Sequence, residues 1–187
     1  MKFILIDKKE YEQLLRQYFY LHSNYRMYHS LEWLSFIGKT QNLNAKYIKI
    51  IENDECIGIF PFFEIKFLFF KIFVSPLEGW STGYIDHIMD SKYYEKFFSE
   101  FKKYLKKKYL YAQFSIILDD SEKFLAQKAG FLIESQETYI TPLYSSEDEI
   151  IMGYTKSTSK SVSQAIRKGL IVEESTNRDE FFDVYYD

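Results

Sequence analysis

The sequence predicts a mixed α/β (α+β) fold, with a mainly antiparallel central sheet flanked by helices. Three observations carry that expectation. Apolar residues recur at helical spacing over 10–21, 31–38 and 91–107. Between the second and third of these, 46–74 breaks into short apolar runs separated by turn formers, as strands do. The composition, 47% hydrophobic and 27% charged over 187 residues, supports a packed core rather than disorder.

Residues 2–6 read as a short strand. Tyr11, Leu14, Leu15, Tyr18 and Leu21 then share one helical face. Ser30 is placed to cap a helix that starts with Leu31 and Glu32 and ends near Gly38. Lys46–Ile51 alternates charged and apolar residues, Asn53-Asp54 supplies a turn, and Cys56–Phe63 returns. With Phe67–Val74 these form an expected antiparallel meander in the centre of a sheet. Residues 75–83 form a loop with Trp80 in its middle. In 91–107, Tyr94, Phe97, Phe98, Phe101 and Leu105 face one way and Ser99, Lys102, Lys103 and Lys106 the other. A strand at 110–117 and a helix from Ser121 to Ala129 follow, closed by Gly130. Phe131–Glu134 and Thr138–Pro142 read as short strands, and a short helix surrounds Ile150 and Ile151.

The stretch from Thr155 to Val172 has no acidic residue. Ser159–Lys168 is expected to be helical and stopped by Gly169, with a strand at Leu170–Glu173 and an aromatic-faced helix over Arg178–Tyr186. That last helix needs something to bury it, so the chain is expected to belong to a larger architecture. The expected division is 1–154 and 155–187.

The net charge of −3 argues against a DNA partner or general nucleic-acid binding. The single cysteine, Cys56, forms no internal disulfide, which fits a reducing compartment. The most apolar stretch, Ile57–Val74, is interrupted by Pro61, Glu64, Lys66 and Lys71, whereas a spanning helix needs about 20 mostly apolar residues. A cytoplasmic location is expected, extending to peripheral attachment at the inner membrane face. His22, His29 and His87 are scattered along the chain, and Asp86-His87 alone makes no metal site. The five lysines of 102–108 read as the solvated face of a helix.

The order helix, helix, three-stranded meander, helix, strand, helix, strand resembles the GNAT acyltransferase fold. Phe124–Phe131, ending in Gly130-Phe131 and followed by Tyr139, carries the resemblance most locally. A narrower resemblance is to FemAB-like proteins, which carry two GNAT-like domains in tandem. It rests on Ser30-Leu31-Glu32-Trp33 with Lys39 downstream, on the loop Ser75–Tyr84, and on Ser161–Gly169 followed by a strand and an aromatic helix. The resemblance implies an acyl- or aminoacyltransferase that forms an amide bond on a cell-envelope or polysaccharide precursor. This chain would supply the acceptor-binding half, and residues 155–187 would begin an incomplete second GNAT-like domain. The implied partners are a phosphate-bearing or lipid-linked acceptor, with aminoacyl-tRNA or another activated donor held by the second domain.

Coenzyme-A-binding GNAT domains use a loop of the form Arg/Gln-x-x-Gly-x-Gly/Ala, whose backbone N–H groups cradle a pyrophosphate. Gly79–Gly83 has the wrong spacing and no following basic residue, so no cofactor is expected.

Lys160, Ser163 and Arg167 fall at i, i+3 and i+7 on one helical stripe, and with Lys168 they suit a phosphate or pyrophosphate. The plainer reading is a solvated face with cations at a helix C-terminus. Trp33 and Lys39 are candidates for a nucleotide or sugar pocket; otherwise Trp33 is core and Lys39 surface. Trp80 and Tyr84 either meet a sugar or peptide or plug one end of the sheet. No catalytic residue is assigned. The alternatives to an enzyme are a non-catalytic GNAT-like ligand-binding or interaction module, and an RNA-binding fragment using the two lysine-rich helices.

Overall fold

The structure is a computed structural model that describes residues 1–77, 79–80, 82–136 and 146–172. The chain divides into two compact units, Met1–Ser135 and Gln136–Asp187.

The first unit is the expected mixed α/β domain. Its main strands are β1 (Lys2–Ile6), β2 (Ala45–Glu52), β3 (Glu55–Phe67), β4 (Phe70–Ser75) and β6 (Tyr111–Phe114), with a two-residue strand β5 (Ile88–Met89). The sheet order is β1-β2-β3-β4-β6, and β5 pairs with β3. All pairs are antiparallel except β4–β6. The meander does occupy the centre of the sheet.

Alternation along the central strands explains why helices cover both faces. Ile48, Ile50, Phe60, Phe62 and Phe73 point to one side. There they meet Tyr94, Phe97, Phe98, Phe101 and Leu105 of α3 (Tyr94–Lys108) and Ala126 of α4 (Asp120–Lys128). Tyr47, Ile59, Phe63 and Val74 point to the other. They meet Tyr11 of α1 (Lys8–Leu14), Leu15 and Phe19 of a π turn, and Leu34 and Ile37 of α2 (Leu31–Thr40). Burial in the stacked Tyr11–Tyr47 pair pushes the Tyr47 phenol up to about 12.

Local chemistry sets several ends as expected. Ser30 Oγ accepts the Trp33 N–H at 3.2 Å and starts α2. At α4 a reciprocal capping box of Asp119 and Glu122, not read from the sequence, starts the helix at Asp120 rather than Ser121. Gly130, at φ +86°, lets the Phe131 N–H return to Ala126 O at 3.1 Å, a Schellman closure.

Elsewhere the structure corrects the sequence. Gly38 does not end α2, which runs two residues further. A Cβ at Gly38 would lie 2.7 Å from Leu43 O, so this glycine serves the close approach of the following chain. The third strand begins at Phe70 rather than Phe67, because the reversal falls on Leu68-Phe69, with Leu68 at φ +53°. The strand expected over 110–117 is only Tyr111–Phe114. Phe131–Glu134 forms no strand. Thr138–Pro142, Tyr139 and Arg178–Tyr186 lie outside the described residues.

In the second unit, α5 (Glu147–Met152) is the expected short helix. The basic helix α6 spans Lys156–Arg167. It starts three residues before the expected Ser159, because Thr155 Oγ1 accepts the Thr158 N–H at 3.2 Å. Gly169, at φ +71°, closes it through Leu170 N–H to Ala165 O at 3.1 Å. Leu170–Val172 is not a strand, and Glu173 lies outside the described residues.

Candidate functional site

Two sets of side chains meet in the first unit, around the chain that joins β4 to α3. The first is aromatic. Trp33 sits in the opening turn of α2, and its Nε1–H donates to Thr82 Oγ1 at 2.9 Å. Tyr28 stands edge-on to Trp33 at 5.3 Å and to Tyr84 at 5.2 Å, so it bridges the helix and the loop. Trp80 lies edge-on to Phe63 of β3 at 5.3 Å. The structure thus brings Trp33 and Tyr84 together through Tyr28 and seats Trp80 on the sheet. Lys39 does not join them. It is exposed in the last turn of α2, about 9 Å further along the axis than Trp33 and rotated by roughly 240°.

The second set was not legible in the sequence. His29 is buried, and its Nδ1 accepts the Arg26 backbone N–H at 2.9 Å. Nε2 faces two acceptors and so carries a proton, which it donates to Asp86 Oδ1 at 2.8 Å while approaching Asp86 O at 3.1 Å; Nδ1 also lies 3.1 Å from Arg26 O. Tyr11 Oη donates to the His29 backbone O at 2.8 Å. His22 Nε2 lies 3.1 Å from Asp90 Oδ1, and this contact, aided by Lys92, holds the Asp90 carboxyl below the usual range. The histidines are thus not scattered. All three converge on the segment that carries Asp86 and Asp90.

His87, between those acids, points the other way into α3. Its ring lies 4.6 Å from Phe97, 4.9 Å from Tyr94, 5.7 Å from Phe60 and 6.3 Å from Phe98. Neither ring nitrogen has a hydrogen-bond partner among the described residues. Burial pushes its pKa down to about 4, against the smaller opposing pull of Asp86, so at neutral pH the ring is uncharged.

Chemically, His29 has both nitrogens engaged and His87 is sealed among rings. Neither imidazole offers a base to a bound molecule. Among the described residues no group of three His, Cys, Asp or Glu side chains could hold a metal. Burial raises the Cys56 thiol pKa, which does not favour the thiolate. A groove of about 530 Å³ lies beside this region, lined by Glu12, Leu15, Arg16, Tyr20, Tyr25, Ser30, Leu31 and Glu32. Ser30, Leu31 and Glu32 of the Ser30–Trp33 segment line it, but Trp33, Lys39, Trp80 and Tyr84 do not.

In the second unit, Lys160, Arg167 and Lys168 are exposed. Lys160 and Arg167 lie about 10 Å apart along one stripe of α6, a span that two long side chains can close around a pyrophosphate. Ser163 turns its hydroxyl to Ser159 O at 2.8 Å, and Arg167 Nε donates to Ser163 O at 3.3 Å. Arg167 and Lys168 occupy the C-terminal turn and cap, where the helix dipole favours the cations themselves and opposes a bound anion.

No protein-family model matches the chain, and no curated protein matches it. One solved structure, described as a probable acetyltransferase, aligns with 78% of this chain and 100% of its own at 9% identity and a TM-score of 0.43. That likeness is too low to assign a fold or an activity, so the architecture rests on the strands and helices themselves.

Proposed function

We propose that this chain is the acceptor-binding part of an acyl- or aminoacyltransferase of GNAT-like, FemAB-like architecture. Residues 155–187 would lead into its second GNAT-like domain. The reaction is amide formation, in which an amine attacks an activated acyl ester or thioester. Such chemistry rests on positioning and on stabilising the developing oxyanion, and needs no dedicated nucleophile.

The observation that carries the reading is the sheet. Two helices precede an antiparallel meander, and α3 then returns the chain to a parallel strand, β6, followed by α4. This is the order that the sequence resemblance implies as far as α4; the closing strand expected at Phe131–Glu134 does not form. Fold alone does not assign chemistry, so the acceptor is inferred from side chains. The Lys160–Arg167 stripe suits the phosphates of a nucleotide-linked or lipid-linked cell-envelope or polysaccharide precursor. Trp33, Trp80 and Tyr84 offer rings to a sugar or peptide, and the donor, such as aminoacyl-tRNA, would be held by the second domain. The engaged state of His29 and the sealing of His87 favour a second reading, a non-catalytic ligand-binding module.

Calorimetric titration with a UDP-sugar-peptide precursor tests the acceptor assignment. Saturable binding is expected, weakened roughly tenfold in Arg167→Ala because a charge-assisted contact is lost. No binding, or unchanged affinity in that variant, overturns it. Acyl transfer to the bound precursor, read as a mass increment, separates the enzyme from the module.

A further inference from the structure

The hairpin of β3 and β4 outruns the rest of the sheet. β2 ends its pairing with β3 at Ala45 opposite Phe63, and β6 begins its pairing with β4 at Tyr111 opposite Ile72. Beyond those points, the last four residues of β3 pair with β4 alone, a projection past β2 of about 13 Å. The projecting end is Phe67-Leu68-Phe69-Phe70, with relative exposures of 62%, 79%, 97% and 48%. Four consecutive large apolar side chains at the tip of a ribbon gain nothing from the fold that displays them.

Its turn is unusual beside the other hairpin of the same sheet. The β2–β3 reversal is also two residues long and uses Asn53-Asp54, both at positive φ as such turns favour. The β3–β4 reversal places Leu68 at φ +53°, where a leucine is disfavoured. Turn chemistry has been set aside for apolar side chains.

The charges around the tip are basic. Lys66 sits directly across from Lys71, a like-charge pair that weakens a hairpin in water. Lys71 reaches Glu64 at 3.9 Å, but Lys46 already holds that carboxylate at 2.7 Å. Lys106, Lys107 and Lys108 end α3 on the same side, since the Leu110 N–H that follows them donates to Lys71 O at 2.9 Å. A convex apolar tip ringed by lysines matches a layer that is apolar inside and anionic at its surface.

We propose that this hairpin inserts into the surface of an anionic lipid bilayer. Phe67, Leu68, Phe69 and Phe70 enter the acyl boundary, while Lys66, Lys71 and the end of α3 meet the lipid phosphates. No described helix is long and apolar enough to cross a membrane. This inference is independent of the acyltransferase reading.

Co-sedimentation of the full chain with vesicles tests it. Binding is expected to mixed phosphatidylcholine and phosphatidylglycerol and to be far weaker to phosphatidylcholine alone. Added salt should weaken it by screening the lysines. Leu68→Ser with Phe69→Ser should reduce partitioning by about tenfold or more per side chain, with an unchanged circular dichroism spectrum because both side chains face water. Three results overturn the proposal. One is no sedimentation with anionic vesicles. Another is sedimentation unaffected by the double variant, which would mean surface charge alone. The last is a dimer in vesicle-free solution that the double variant dissolves, which would make a second copy of the chain the occupant.

Discussion

His29 and Asp86 are 57 residues apart in sequence and 2.8 Å apart in the fold, and their hydrogen bond ties the approach to α2 to the approach to β5. His29 is held from three directions, its ring by the Arg26 amide and by Asp86, and its backbone carbonyl by the Tyr11 hydroxyl. Such a contact fastens the single 3-10 turn Met27–His29 to a segment that has no regular secondary structure of its own.

Removing the ring should therefore cost more than weakening the acceptor. His29→Ala leaves a nearly buried Asp86 carboxylate without its donor and should lower unfolding stability by about 3 kcal/mol. Asp86→Asn keeps an acceptor oxygen and should cost about 1 kcal/mol. Urea denaturation of both variants checks the order. Equal, small losses would mean that the pair is not a fastening.

His87 makes stability depend on pH in a defined window. Its folded pKa, about 4, lies below its ordinary value of 6.5. Above 6.5 neither state binds the proton and no penalty applies. Between 6.5 and 4 the unfolded chain takes up a proton that the folded chain refuses, so stability falls as pH falls. The loss sums to roughly 3 kcal/mol at pH 4 and then levels off. His87→Leu should flatten the wild-type slope in that window and cost little at pH 7, since it removes two unpartnered nitrogens from an apolar box. Identical slopes in wild type and variant would show that the ring does not titrate this way.

Gly58 is where β5 touches β3. A Cβ there would lie 2.9 Å from both Ile88 O and Met89 Cβ. Gly58→Ala should displace β5 and cost about 1–3 kcal/mol, as overpacking does. Hydrogen exchange should rise at Ile88 and Met89 while Ile48 and Ile50 in β2 stay protected. Protection retained at β5 would refute the close approach.

The parts of the fold that were legible in the sequence are those set by neighbours along the chain. Ser30, Gly130 and Gly169 act within four or five residues of themselves, and the five apolar positions of α3 repeat with the helix. What was missed depends on distant partners. β5 is two residues long and exists only because Gly58 admits it. The turn at Leu68-Phe69 carries no turn former, so it read as strand. Phe131–Glu134 is apolar enough to read as a strand, yet joins no sheet among the described residues. The His29–Asp86 pair carried no local signal, because a lone histidine and a lone aspartate look the same wherever they sit.

The path from Ser75 to Ile88 holds one further consequence. Ser75 Oγ sits 2.8 Å from both Pro61 O and Ile85 O, at the gap on the edge of β3 between β4 and β5. A proline fits there because the amide hydrogen it lacks would have faced that gap. The residues between leave β3 and come back to it a few positions away, like a detour that starts and finishes on the same street. Changes in the outer part of that detour, around Gly79 and Gly83, can alter what the protein meets without asking the sheet to move.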